Sequence, residues 1–289
     1  MEKIFDSEFY SKLHKLRMSI AMRLASGMSG GRKSNAKGNS VEFSDFREYR
    51  LGDDFRRVDW NAYGRFDKLY VKLFMEEKEG IFNLFLDTSK SMDFGEQNKS
   101  VSALRIMAAL SYVILDNSDR VYINCLTKDG LTESKGYAGR QAFSKIVELL
   151  EKVTFEGEAE LYDAMKHKPL TRRGMSVLVS DGYTQELEEL FKYMKFKNQD
   201  IVFIHVLSPE EISPSFEGTV LLVDSENSSE MRMTMSASMM KAYKKSYKDF
   251  IRNIEMLCKK YAVTYIPVSS ADSLDSLFFH SLSKISKQV

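Results

Sequence analysis

Residues 81–92 hold the feature that most constrains how this chain can fold, an apolar run that stops at an aspartate. The run predicts a strand buried on both faces, which is typical of a parallel sheet. Asp87 ends it, and Ser89 and Ser91 follow at alternate positions. Carboxylate and hydroxyl oxygens at the carboxyl end of a buried strand suit a hard cation such as Mg²⁺. The alternative is a polar strand-to-helix turn whose serines cap the next helix.

A second buried strand with the same ending is predicted at residues 176–180, and Asp181 follows it. Further strands alternate with helical patterns between residues 80 and 289, which predicts an α/β fold with a doubly wound, mostly parallel sheet. In such sheets ligands bind outside the carboxyl ends of the strands. If the two strands are neighbours, the sheet brings together four oxygen ligands for one Mg²⁺ or Mn²⁺ ion: Asp87, Ser89, Ser91 and Asp181.

The composition argues against several classes of protein. The 289 residues include 42 basic and 41 acidic ones, and this balance argues against a nucleic-acid-binding protein that works through bulk electrostatics. Cys125 and Cys258 lie far apart and suggest neither a disulfide framework nor a metal knuckle, which favours a reducing compartment. Because no apolar run approaches ~18 residues and no signal peptide is visible, we expect a cytoplasmic protein with no membrane span.

The first 79 residues are predicted to form an extension of the main α/β domain at residues 80–289. A helix is predicted at residues 4–24, a basic Gly/Ser-rich loop at residues 27–40 and a strand at residues 69–75. Arginines and aspartates alternate with aromatic residues across residues 41–78; they either bind a phosphorylated ligand or form salt bridges that hold the segment to the main domain. Because ~40 residues seldom hold a core alone, we expect this segment to pack on the main domain.

The two acidic motifs resemble a known type of site. D-x-S-x-S at residues 87–91, followed by S-D-G at residues 180–182, is similar to the metal-ion-dependent adhesion site of von Willebrand factor A domains. The preceding segment, with G-D-D-F-R at 52–56 and V-D-W at 58–60, resembles the signature of the bacterial domain-of-unknown-function 58 family. The resemblance implies a von Willebrand A-like fold and a protein-interaction or adaptor module with no established catalytic activity. It also implies a partner, a MoxR-type AAA+ ATPase, beside which such proteins are commonly encoded.

One position departs from the family pattern. The family places a threonine that supports the metal in a loop that here reads E-G-E-A-E over residues 156–160, so that Ala159 stands at its position. Glu158, Glu160 or a water would then have to supply the missing oxygen. Two alternatives stay open: a structural scaffold with a vestigial, metal-free site, and a Rossmann-like phosphohydrolase with Asp87 as its nucleophile. The hydrolase generally needs a second aspartate two residues further on as acid and base, where this chain has a serine.

Overall fold

The structure, a computed structural model, describes residues 4–25, 43–74, 79–158, 160–170, 173–214, 218–223 and 230–281. These residues fall into two compact units. The main unit is built from the chain up to residue 21 and from residue 80 onward, and the smaller unit from residues 22–79. Among the described residues, no helix combines the length and the apolar character needed to cross a lipid bilayer.

The described elements are strands and helices that mostly alternate along the main sheet region. The chain begins with α1 (Ser7–Ala25), β1 (Phe43–Glu48), α2 (Trp60–Phe66) and β2 (Tyr70–Phe74). The first half of the sheet region contains β3 (Ile81–Asp87), α3 (Lys99–Asp116), β4 (Arg120–Thr127), β5 (Gly130–Glu133), β6 (Tyr137–Ala138), α4 (Phe143–Leu150) and α5 (Leu161–Lys166). The second half contains β7 (Gly174–Ser180), α6 (Leu187–Phe196), β8 (Gln199–Leu207), α7 (Pro209–Ile212), β9 (Gly218–Val223), β10 (Glu230–Met235), α8 (Ala237–Lys260), β11 (Thr264–Ser269) and a π-helical turn (Ser276–Ser281).

The central sheet has the strand order β11-β8-β7-β3-β4-β5, and β6 also pairs with β4. The strands from β11 to β4 in this order are parallel to their neighbours, whereas β5 and β6 pair with β4 in antiparallel register. This arrangement confirms the predicted mostly parallel sheet, with β3 between β7 and β4. Outside this sheet, β9 and β10 form an antiparallel hairpin.

Helices cover both faces of the central sheet, and side chains of β3 point alternately into two cores. Leu84 and Leu86 belong to the core that α1, α3 and α4 cover. Phe85, which lies between them in sequence, belongs to the core that α5, α6 and α8 cover. Because successive side chains of a strand point to opposite faces, a strand without polar alternation has to be buried on both. The predicted doubly wound fold is confirmed.

Helix α1 packs into the first of these cores. Its buried residues recur at steps of three or four and so share one face of the helix: Phe9, Leu13 and Leu16. The ring of Phe9 meets the ring of Phe278 edge to face, with centroids 5.8 Å apart. The predicted amphipathic helix is confirmed, and its apolar stripe is part of the main unit.

The smaller unit contains an antiparallel pair, β1 and β2, and the helix α2, which the sequence analysis did not predict. Asp59 caps α2, because its side chain accepts hydrogen bonds from the backbone N–H groups of residues 61 and 62. Asp53 forms an ion pair with Arg47 at 2.8 Å. These aspartates therefore bind groups of their own segment. That the segment packs on the main domain stays a prediction.

Candidate functional site

The pairing of β3 with β7 brings the two acidic motifs to the same edge of the sheet. The strands are parallel and adjacent, with Leu86 opposite Val179. Asp87 and Ser180, the next residue of each strand, are joined by a hydrogen bond of 2.7 Å from Ser180 Oγ to Asp87 Oδ2. Asp181 follows directly. The expectation that both aspartates lie at the carboxyl edge of neighbouring strands is therefore met.

Asp87 is a buried carboxylate, only 3% exposed. Its Oδ1 accepts a hydrogen bond of 3.0 Å from the backbone N–H of Ser89, and its Oδ2 accepts the bond from Ser180. Burial, and after it the charge of Asp181, raise the pKa of Asp87 to about 6. The hydrogen bonds lower this pKa but do not outweigh burial and repulsion. Asp87 therefore lies where a positive charge would stabilise it.

The two serine hydroxyls of the motif face each other. Ser89 Oγ lies 3.0 Å from Ser91 Oγ; Ser89 is buried and Ser91 is partly open to solvent. Ser89 precedes a short 3-10 turn but makes no side-chain capping bond to it. The next helix, α3, is capped by Asn98, which accepts a bond from the N–H of Ser100. The interpretation of these serines as helix caps is therefore wrong.

The loop at residues 156–158 runs beside the motif. The N–H of Lys90 donates to the carbonyl oxygen of Gly157 at 2.8 Å, and the N–H of Glu156 donates to that of Thr88 at 3.0 Å. This loop leads to the position where the family has its threonine. Ala159 itself lies outside the described residues, so its predicted effect on the site stays a prediction. The side chains of Glu158 and Glu160 on either side are exposed.

Lys99 is a residue of this site that was not predicted from the sequence. Its side chain is fully buried, and its ammonium donates to Asp181 Oδ2 at 2.8 Å and to Glu211 Oε1 at 2.7 Å. The rings of Phe94 and Tyr183 lie 5.7 and 5.6 Å from the ammonium. One signal in the sequence pointed to this role. A lysine in the first turn of a predicted helix is unfavourable next to the positive end of the helix dipole unless carboxylates surround it.

Asp181 is held by bonds to both its side chain and its backbone. Its Oδ1 accepts a bond from the N–H of Tyr183 at 3.2 Å, and its carbonyl oxygen accepts one from His205 Nε2 at 2.7 Å. Because a carbonyl oxygen only accepts, Nε2 carries the proton and Nδ1 accepts from Tyr265 at 2.9 Å. Burial lowers the pKa of His205 to about 4. His205 is thus a neutral, buried positioning group for Asp181.

The site carries more negative than positive charge. The Lys99 ammonium contacts two carboxylates, those of Asp181 and Glu211, and a third carboxylate, that of Asp87, is close enough to Asp181 for the two charges to repel each other. With all four ionised the sum is −2. Among the described residues, no group of three His, Cys, Asp or Glu side chains is arranged to hold a metal ion. Any cation bound here would therefore need serine hydroxyls or water among its ligands.

A mostly parallel, doubly wound sheet that follows the charged extension is the arrangement expected of a von Willebrand A-like protein. The chain belongs to the family described as "Protein of unknown function DUF58", whose model matches residues 45–251, more than half of the chain. The resemblance to this family, drawn from the segment with the G-D-D-F-R motif, is confirmed. The resemblance of D-x-S-x-S to a metal-ion-dependent adhesion site stays a prediction.

The chain is also similar to the following relatives and solved structures. Uncharacterized protein Rv1480 of Mycobacterium tuberculosis (strain ATCC 25618 / H37Rv) is 26% identical over 234 residues, which cover 78% of this chain and 73% of that protein. BatB from Bacteroides thetaiotaomicron is 14% identical with a TM-score of 0.41, over 72% of this chain and 99% of that one. The SpRpn10 VWA domain is 13% identical with a TM-score of 0.40, over 70% and 94%.

Proposed function

We propose that this chain is a non-enzymatic protein-interaction module, an adaptor with a metal-ion-dependent adhesion-like site. Mg²⁺ or Mn²⁺ binds at the carboxyl edge of the sheet, next to Asp87, Ser89 and Ser91, and the charge of Asp181 stabilises it. Mg²⁺ keeps water-filled positions, so a carboxylate of a partner protein can complete its octahedron. The single observation that carries this proposal is the pair of serine hydroxyls beside the buried Asp87.

The spacing of these hydroxyls fits a small cation. Two ligands at right angles, each 2.0–2.1 Å from Mg²⁺, lie about 2.9 Å apart. The 3.0 Å between Ser89 Oγ and Ser91 Oγ agrees with this spacing. Ser91 is partly open to solvent, so an ion bound there remains within reach of a partner.

The electrostatics of the site favour the same ion. The carboxylates of Asp87, Asp181 and Glu211 exceed the one ammonium by two charges, and the raised pKa of Asp87 reflects burial and its repulsion by Asp181. A divalent cation cancels this excess. Because Asp87 and Asp181 are buried, water and salt screen their interaction with the cation less than they would at the surface.

Catalysis is not part of the proposal, because the groups around Asp87 do not suit it. A phosphoryl-accepting aspartate needs an acid and base nearby, and Ser89 stands where the second aspartate belongs. His205 is buried and both of its ring nitrogens are engaged. Phosphatase turnover that disappeared in Asp87→Asn would overturn the non-enzymatic assignment.

The family resemblance supports a partner, and the two distant cysteines and the lack of a visible signal peptide support a compartment. We propose a MoxR-type AAA+ ATPase as the partner, and the cytoplasm as the place where the two meet. Purified ATPase should bind the chain in Mg²⁺ and dissociate in EDTA. Asp87→Ala should abolish binding in both buffers, whereas binding that persists in EDTA would place the contact elsewhere.

Calorimetric titration with Mn²⁺ and Mg²⁺ tests the ion itself. Wild type should bind one ion, and Asp87→Ala should bind none. Asp163→Ala is the matched control, because Asp163 is a half-exposed aspartate of α5 paired with Lys166. This variant should bind the ion as wild type does. Absence of binding by wild type would favour the second candidate, a metal-free scaffold, for which the ion pair between Asp181 and Lys99 is the specific argument.

A further inference from the structure

Lys99 is a buried cation that the proposed function leaves without a role. Its ammonium is fully buried, and its two carboxylate partners come from distant parts of the chain, Asp181 and Glu211. Removing a charge from water costs several kcal/mol, and only well-placed partners offset this cost. The carboxylates of Asp181 and Glu211 are the partners that offset this cost for Lys99.

We propose that Lys99 is a positioning residue that sets the charge of the site at −2, so that the site binds a single divalent cation. The inference rests on the proposed function and deepens it. Asp87, Asp181 and Glu211 contribute three negative charges, and Lys99 cancels one. The remaining two are what Mg²⁺ or Mn²⁺ neutralises. Without Lys99 the site would carry −3 and would suit a trivalent ion better.

Lys99 also decides which carboxylate stays free to face the ion. It occupies Asp181 Oδ2, while the N–H of Tyr183 occupies Oδ1. Among the described residues, the hydrogen-bond donors to Asp87 are uncharged and come from Ser89 and Ser180. Asp87 therefore offers the ion a full negative charge, whereas Asp181 acts from a distance, already half neutralised by its ion pair.

The surroundings of Lys99 fix this arrangement in place. Phe94 and Tyr183 place their rings within 6 Å of the ammonium, where cation–π attraction stabilises it. Glu211 is held from its other side, because its Oε2 accepts the N–H of Ser208 in the capping box of α7. Lys99 thus joins the edge of the sheet to the segment after β8.

Lys99→Met tests the proposal, since methionine has a similar length and no charge. The variant should bind Mn²⁺ at least ~10-fold more tightly than wild type, because one more negative charge attracts the ion in a poorly screened site. The increase in affinity for Tb³⁺, measured by tyrosine-sensitised luminescence, should be larger still. A merely structural role for Lys99 would weaken binding.

The double variant Lys99→Met/Glu211→Gln is the matched control. It removes one positive and one negative charge and so restores −2; its Mn²⁺ affinity should return to within ~3-fold of wild type. Glu211→Gln alone leaves the site with a net charge of −1, and this variant should bind Mn²⁺ ~10-fold more weakly than wild type does. The proposal is overturned if Lys99→Met binds no more tightly than wild type, or if the double variant stays as tight as the single one. If Lys99→Met does not fold, unchanged affinity in Glu211→Gln overturns it.

Urea unfolding in EDTA separates this inference from the proposed function. Lys99→Met should lower the unfolding midpoint, because Asp181 and Glu211 lose their counter-charge, and the double variant should recover part of the loss. If none of the proteins binds Mn²⁺ or Tb³⁺, the proposed function fails. The charge role of Lys99 then stands only if the double variant is more stable than the single one, and is overturned if it is not.

Discussion

At the scale of single residues, two buried groups of the site respond to pH in opposite senses. The pKa of Asp87 is raised from 3.8 to about 6 by burial and then by Asp181, and burial lowers the pKa of His205 from 6.5 to about 4. Between pH 7 and pH 5, folded Asp87 gains a proton that unfolded Asp87 does not, so its contribution to stability rises. Over the same range unfolded His205 gains a proton and folded His205 does not, so the contribution of His205 to stability falls.

Asp87→Asn should therefore make the metal-free protein more sensitive to acid. In the variant only the effect of His205 remains, a loss of about 2 kcal/mol between pH 7 and pH 5, whereas Asp87 offsets most of it in wild type. Urea unfolding in EDTA at the two pH values measures both losses, and the other titrating groups largely cancel between the two proteins. Equal losses in the two proteins would contradict these protonation states.

Ala159→Thr should strengthen ion binding. A hydroxyl that ligates the ion or orients a ligating water typically changes metal affinity by ~10–100-fold. Calorimetric titration with Mg²⁺ compares the variant with wild type and with Ala159→Val, which has the shape of threonine without its hydroxyl. Equal binding by wild type and the threonine variant would mean that Glu158, Glu160 or a water already fills the role.

At the scale of elements, the site depends on the pairing of β3 with β7, and Gly174 makes this pairing possible. A Cβ at Gly174 would lie 2.6 Å from the carbonyl oxygen of Ile81, a backbone atom of β3. That oxygen cannot move without disturbing the ladder. The close approach therefore fixes the start of β7 against the start of β3, and with it the register that ends at Asp87 and Ser180.

Gly174→Ala should lower the free energy of unfolding by about 1–3 kcal/mol, the usual cost of overpacking. Gly64→Ala in α2 is the control, because nothing lies within 4 Å of the added methyl; it should be neutral or gain up to about 1 kcal/mol from helix propensity. Urea unfolding measures both. A stable Gly174→Ala protein would show that the two strands do not approach as described.

Some strands and helices were predictable from the sequence and others were not. β3 and β7 were predictable because both strands are mainly apolar and each motif places an aspartate at the strand end. α2 was not, because Trp60, Tyr63 and Gly64 are weak helix formers and the capping Asp59 was its main signal. A short helix without an apolar stripe gives periodicity little to detect.

At the scale of the whole molecule, the candidate site was only partly predictable. The local motif contains Asp87, Ser89 and Ser91, and parallel topology supplies Asp181. Lys99 was not predicted as part of the site because its partners lie 82 and 112 residues away in the sequence, and only the folded chain brings them together. The charge balance around Lys99 depends on three separate segments, those of Lys99, Asp181 and Glu211, so no single sequence motif predicts it.

Removing the N-terminal extension should destabilise the main unit. A chain that starts at residue 80 loses the buried face of α1, and losing one buried phenylalanine such as Phe9 typically costs about 3–5 kcal/mol. Its melting temperature should fall well below that of the full chain. A second protein that keeps α1 but replaces residues 43–74 with a Gly/Ser linker tests whether that segment also packs on the main domain. An unchanged melting temperature in the second protein would contradict that packing.

The central claim is that a divalent cation binds at Asp87, Ser89 and Ser91 while Lys99 keeps Asp181. Anomalous diffraction at the manganese edge, from crystals grown with Mn²⁺, tests it most directly. We expect one peak about 2 Å from both serine hydroxyls, with Lys99 still bonded to Asp181. Absence of a peak at these hydroxyls, or a peak on Asp181 with Lys99 displaced, would contradict it.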